Sequence, residues 1–259
     1  MKHIYKFSIV LLTVFTFIGC NVDDDDSVTV LPMKELTASL SQQVDVIRIA
    51  DDATSYDLVI NFSEALPSYS TIEYSLDGGA TTTSSASSGD NTLVIPIAFD
   101  EDKFYRDVVL SDFIVVNAAA RRFSTSITGN SSLRIARQGT IFAAPGSVEI
   151  TVTWSDSSKD LDIFLIEGNQ DLGGALLDDS QGTNTTTEQV VLSADEEGVF
   201  SLFMYEWSSD YPVDYEINYV FEDGQVLSFD SNITSDSFQF TMSKSNDGAQ
   251  MICYINKIE

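Results

Sequence analysis

The sequence predicts an all-β protein built as two tandem β-sandwiches, the first of them immunoglobulin-like. Three observations carry that prediction. Apolar residues recur with period two in short segments separated by Gly, Pro, Asp and Ser, as strands with one buried face require. No stretch of the mature chain sustains a helical period long enough for a buried helix. A change in composition over residues 137–146, with Gly139, Pro145 and Gly146, divides the chain into halves of domain size.

The first residues are set apart from either sandwich. Lys2, His3 and Lys6 form a positive head, residues 7–17 are apolar without a charge, and Gly19 stands before Cys20, which together read as a secretory leader. The apolar run is too short to cross a bilayer, since a spanning helix takes about 20 apolar residues. Ile18-Gly19-Cys20 resembles the lipobox of bacterial lipoproteins, which implies cleavage before Cys20 and acylation of that cysteine as the anchor. Asp23, Asp24, Asp25 and Asp26 follow at once and resemble the export signal of Bacteroidetes-type surface lipoproteins, which implies an outer-membrane protein facing the cell exterior. The other reading of the four acids is a solvated tether without a sorting role. Residues 1–19 are thus expected as leader and 20–38 as tether.

Composition narrows the chemistry. The 259 residues carry 13 Lys and Arg against 40 Asp and Glu, a formal charge of −27, and removal of the leader takes two lysines and no acid. Nucleic acid and anionic membrane surfaces are electrostatically disfavoured as general partners. The only histidine, His3, leaves with the leader, so the mature protein is expected to lack imidazole-based nucleophile systems and the common zinc sites. Hydrolysis by two carboxyl groups stays open. With Cys20 acylated, Cys253 has no partner in the chain and is expected as a buried thiol in an apolar strand.

The first sandwich is expected over residues 39–138, with strands near 44–49, 56–62, 71–76, 92–99, 113–116, 123–127 and 133–136. Leu58, Ile60 and Phe62 share one parity, as do Ile72, Tyr74 and Leu76. Asp77-Gly78-Gly79 supplies the positive-φ residues of a hairpin turn, and residues 81–88 read as loop or edge strand. For residues 111–122 a short helix is the competing reading. Lys103, Arg106, Arg121, Arg122, Arg134 and Arg137 gather most of the basic charge, either as an interface toward the acidic second half or as cross-strand ion pairs.

The second sandwich, over residues 139–259, opens with Val148, Ile150, Val152 and Trp154 on one face, Trp154 in the core. Asp160-Leu161-Asp162 and an apolar run follow, then Gly198-Val199-Phe200 and Tyr211-Pro212-Val213-Asp214-Tyr215. This order resembles the bacterial pre-peptidase C-terminal domain, which implies a jelly-roll-like (PPC-like) β-sandwich of the kind appended to secreted enzymes.

Two candidate sites lie in this half. Asp160 and Asp162, roughly 7 Å apart on one face of a strand, with Asp156 in the preceding turn, are oxygen donors that begin a possible calcium (Ca2+) site. Asp178, Asp179, Asp195, Glu196 and Glu197 are the nearest further donors, since calcium takes 6 to 8 oxygens. Tyr205, Trp207 and Tyr211 surround a polar loop and suit a sugar-binding platform. The competing reading sends Phe203, Tyr205 and Trp207 into the core and leaves Tyr211 as an edge plug.

The expected function is a non-enzymatic, lipid-anchored surface protein presenting a binding or adhesive face for glycan or protein, as an accessory subunit of an outer-membrane complex. The rivals are a carboxylate-only glycan hydrolase and a purely structural scaffold subunit.

Overall fold

The structure, a computed structural model, describes residues 33–100, 102–120, 122–182 and 185–258. Nine strands build the first sandwich: β1 (Lys34–Leu40), β2 (Val46–Ile49), β3 (Ser55–Phe62), β4 (Ser70–Leu76), β5 (Thr82–Ala86), β6 (Thr92–Ala98), β7 (Tyr105–Val115), β8 (Phe123–Ile127) and β9 (Ser132–Arg137). They form sheets in the orders β6-β3-β1-β8 and β2-β9-β7-β4-β5. Leu58, Ile60 and Phe62 do point inward together, and Asp77 and Gly78 turn the β4–β5 hairpin at φ of 53° and 68°. Residues 82–86 are the edge strand of their sheet.

Two sequence expectations are corrected here. The tether does not extend to residue 38: β1 begins at Lys34, pairs with β3 and β8, and buries Leu36, Ala38 and Leu40. Its Leu-x-Ala-x-Leu alternation is carried partly by alanine, which weakens the apolar signal without weakening the fit. Residues 111–115 are strand, not helix. A bulge, where Glu73 pairs with Asp112 and Tyr74 with Leu110, leaves Ser111 unpaired and shifts the inward parity. Leu110 and Phe113 therefore both enter the core three residues apart, which imitates a helical spacing.

Ten strands build the second sandwich: β10 (Thr140–Ala143), β11 (Val148–Trp154), β12 (Leu161–Glu167), β13 (Leu176–Ser180), β14 (Thr187–Leu192), β15 (Gly198–Glu206), β16 (Val213–Phe221), β17 (Val226–Ile233), β18 (Ser237–Asn246) and β19 (Met251–Lys257). The sheet orders are β10-β19-β18-β15-β12-β13 and β14-β11-β16-β17. Val148, Ile150, Val152 and Trp154 face Phe200, Leu202, Met204 and Phe240 across an apolar core that includes Cys253. Trp154 keeps its indole N–H satisfied on the carbonyl of Lys159, 3.1 Å away.

Only Gln138 and Gly139 separate β9 from β10, and the junction is tied from both sides. Arg48 donates to the carbonyls of Arg137 (3.1 Å) and Thr140, Thr140 Oγ1 donates to the carbonyl of Phe104 (3.1 Å), and Phe104 stacks on Tyr254 at 4.2 Å. The basic cluster serves both expected roles. Arg106 makes surface ion pairs with Asp77 and Asp100, while Arg134 pairs with Asp107 and also reaches the second sandwich. Arg121 lies outside the described residues.

Candidate functional site

On β15 the inward parity belongs to Phe200, Leu202 and Met204, so Phe203 and Tyr205 stand on the outer face of the six-stranded sheet, with Trp207 just beyond the strand end. This corrects the reading that sends those three aromatics into the core. The neighbouring strands add Phe164 on β12 and Phe238 on β18 to the same face, because Phe203 pairs with both. The rings form one continuous row: Phe238 to Phe203 at 5.3 Å, Phe203 to Phe164 at 6.4 Å, Phe164 to Tyr205 at 5.7 Å, and Tyr205 to Trp207 at 6.2 Å. The inner members are half-buried by one another. Trp207, at the end of the row, is 68% exposed.

An exposed tryptophan is held here by a firmly bonded loop. The Trp207 N–H donates to the carbonyl of Asp160 at 2.9 Å, and Ser209 turns back onto the carbonyl of Glu206 at 2.9 Å with a positive φ of 56°. Beneath the loop, the Glu206 side chain is 1% exposed and accepts from Ser208 Oγ (2.7 Å), the Asp210 N–H (2.6 Å) and the Asp160 N–H (3.3 Å). Burial pushes the Glu206 carboxyl up, but these donors together with Lys159 bring it to a net position below its ordinary value. Lys159 closes the loop from outside through the carbonyl and carboxylate of Asp210, at 2.6 and 2.5 Å. Tyr211 is the edge plug: its hydroxyl donates to Asp236 and accepts from the Glu206 N–H, and its ring packs on the core.

Tyr205 faces Asp162 across the β12–β15 ladder. Burial pushes the Asp162 carboxyl up against the pull of the Tyr205 hydroxyl, and burial with that same bond pushes the Tyr205 phenol to about 12. Asp160 is also raised, first by burial and then by Glu188 and Glu206, and its Oδ1 is buried without a hydrogen-bond partner among the described residues. Asp156 is turned away: its Oδ1 accepts from the N–H and Oγ of Ser158 at 2.9 and 2.6 Å, which lowers its carboxyl. Asp156, Asp160 and Asp162 are therefore not gathered into a calcium site. Among the described residues no group of three or more carboxylate, thiol or imidazole side chains is placed to hold a metal ion. Asp178 instead accepts from the N–H groups of Asp179 and Val191, and Glu197 from Asn246.

Phe164 and Phe238 belong to the row and were not singled out by the sequence reading. Residue parity holds the missing signal: the charged Asp162 marks the outward side of β12, and Phe164 shares its parity. Beside Phe203 and Phe238 a groove of about 690 Å³ runs under the exposed Leu172, with Gln170, Asn232 and Ser235 on its walls. Cys20 and Asp23, Asp24, Asp25 and Asp26 lie outside the described residues.

No family model matches the chain, and no curated protein matches it. Among solved structures, similarity is found to the apo-form Calx CBD1 domain (TM-score 0.31, 9% identity, 39% of this chain and 95% of that one). It is found also to CBD12 from CALX1.2 (0.30, 11%, 72% and 83%) and to the calcium binding domain CBD12 of CALX1.1 (0.31, 9%, 64% and 78%).

Proposed function

We propose that this protein is a non-enzymatic, lipid-anchored outer-membrane protein that displays two β-sandwiches at the cell exterior and binds glycan at the Trp207 end of the aromatic row. The observation that carries the reading is a tryptophan 68% exposed on a loop organised by a buried carboxylate. Leaving a large ring in water is unfavourable, and a loop fixed in advance lowers the ordering cost of a contact. An exposed ring beside that of Tyr205, 6.2 Å away, suits the apolar face of a sugar.

The acids support binding over hydrolysis. Glycosidase carboxyls flank the scissile bond from two sides, whereas Asp160 and Asp162 come from one short segment beside the same strand. Glu188 and Glu206 are occupied by donors of their own loops. The anchor at Cys20 and the acids Asp23, Asp24, Asp25 and Asp26 supply the address, as their order after the leader implies.

A glycan array read with the intact protein and with Trp207→Ala tests the reading. Trp207 lies outside the core, so the variant is expected to keep its melting temperature and to lose the array signal. Equal signal from both proteins would reject the site.

A further inference from the structure

From the groove beside Phe203 and Phe238 we infer a second subsite for the same ligand, so that the ligand is an extended chain of neutral sugars lying along the row, not a single sugar held at Trp207. The inference rests on the glycan reading above and adds the substrate class and a second point of contact. Four ring-to-ring steps of 5.3 to 6.4 Å separate Trp207 from Phe238, more than one sugar ring can cover. The groove at the far end, about 690 Å³, falls within the usual range of ligand sites, roughly 300–1,000 Å³.

Its walls are held in place. Ser201 Oγ, on the outer face of β15, donates to the carbonyl of Gly168 and accepts from the N–H of Gln170, both at 2.7 Å, which lays the β12–β13 loop over the sheet. Asp171 Oδ1 accepts from the Gly173 N–H at 2.8 Å and shapes the tip, where Leu172 is left 66% exposed. On the opposite wall Ser237 Oγ donates to the carbonyl of Ser235 at 2.9 Å and accepts from Gln239 Nε2 at 2.6 Å. An apolar floor with amide and hydroxyl walls matches the alternating C–H faces and hydroxyls of a sugar.

The fold argues against an extended peptide as the occupant. The floor strands β15 and β18 are each paired on both sides, so no main-chain edge is open for strand addition there. Charge selects among glycans. Asp236 and Lys257 both line the groove and Lys159 pairs with Asp210 at the other end, so these charges offset locally and the excess of 40 acidic over 13 basic residues in the chain sets the surrounding field. Uronic or sulfated chains meet repulsion along this path.

Titration calorimetry of the full chain with glucan, xylan and mannan oligosaccharides, from disaccharide to hexasaccharide, and with oligogalacturonate, tests the inference. Affinity is expected to rise about tenfold or more with length, and Leu172→Asp, an exposed change, is expected to abolish that rise while leaving the disaccharide affinity unchanged. A length dependence untouched by Leu172→Asp would overturn the second subsite and leave the Trp207 site standing. Oligogalacturonate bound as tightly as the neutral chains would overturn the neutral class. Absence of binding by every oligosaccharide, with Trp207→Ala indistinguishable from the intact protein on the array, would remove the glycan reading itself.

Discussion

The guanidinium of Arg134 lies over the ring of Phe142, its central carbon 4.3 Å from the ring centroid, and so joins a strand of the first sandwich to one of the second. The same group is gripped by both oxygens of Asp107 at 2.6 and 2.8 Å and rests 5.1 Å from the ring of Tyr105. A planar cation can satisfy a carboxylate fork and an aromatic face at once, which an ammonium cannot. Arg134→Met is expected to cost about 1–2 kcal/mol and to split one calorimetric unfolding transition into two, as the sandwiches lose one of their shared contacts. Arg134→Lys should recover less than half of the loss. A single unshifted transition in Arg134→Met would show that the junction is held elsewhere.

Gly139 is the narrowest point of that junction. A Cβ at this position would fall 2.1 Å from the carbonyl oxygen of Ile255, which is backbone of a core strand and cannot swing aside. The Gly139 carbonyl also accepts from the Ile255 N–H at 3.0 Å, and its N–H donates to Asp51 at 3.1 Å. Gly139→Ala is therefore expected to destabilise by about 1–3 kcal/mol, as overpacking does, measured by urea unfolding. An unchanged midpoint would mean that β10 moves away from β19 without penalty.

The sequence made the strands legible where parity was clean and left them obscure where a second effect disturbed it. Segments 56–62 and 148–154 alternate without interruption and appear as read. β1 is muted by Ala38, β13 is Leu-Leu-Asp-Asp-Ser with little apolar contrast, and the β7 bulge converts a period of two into a spacing of three. The same physics governs the site. Tyr205 and Trp207 stand out by residue type, but whether Phe203 and Tyr205 faced core or solvent depended on which parity of β15 the partner sheet would cover. Among the described residues the three candidate metal-binding acids are not grouped, because proximity along the chain is not convergence: Asp156 folds back onto Ser158.

Cys253 tests the core of the second sandwich. It is fully buried, and burial pushes its thiol up to about 12, with only Lys244 pulling it down. A thiol in that state presents almost no thiolate at neutral pH and no path to a reagent. Native protein is expected to resist iodoacetamide and to react at once in denaturant, as followed by mass spectrometry. Fast labelling of the native chain would show that β19 opens readily from β18. Cys253→Ser, which places a hydroxyl where no partner is shown, is expected to cost about 1–3 kcal/mol.

The two tryptophans report separately on fold and site. Trp154 is buried and Trp207 exposed, so acrylamide should quench a red-shifted component alone, and Trp207→Phe should remove it while leaving blue emission. Quenching of both at equal rates would contradict the loop geometry around Glu206.

The carboxyl groups around that loop give stability opposing pH responses. Glu206 lies below its ordinary 4.5, so its contribution is complete above that value and is lost as pH falls through the lower folded one. Asp160 and Asp162 lie above their ordinary 3.8, chiefly through burial, so the folded chain binds protons before the unfolded chain does. Acidification from neutral pH toward 3.8 therefore relieves the cost of burying their charges and raises stability by that part. Asp162→Asn removes one of these charges and preserves a group that can bond to Tyr205. Its melting temperature at neutral pH is expected to equal or exceed that of the intact protein, with the advantage shrinking as pH drops. Glu206→Gln is expected to behave oppositely, with a deficit at neutral pH that closes below 4.5. Melting curves collected across the acid range decide the matter: parallel profiles for all three proteins would mean that neither buried acid is coupled to folding.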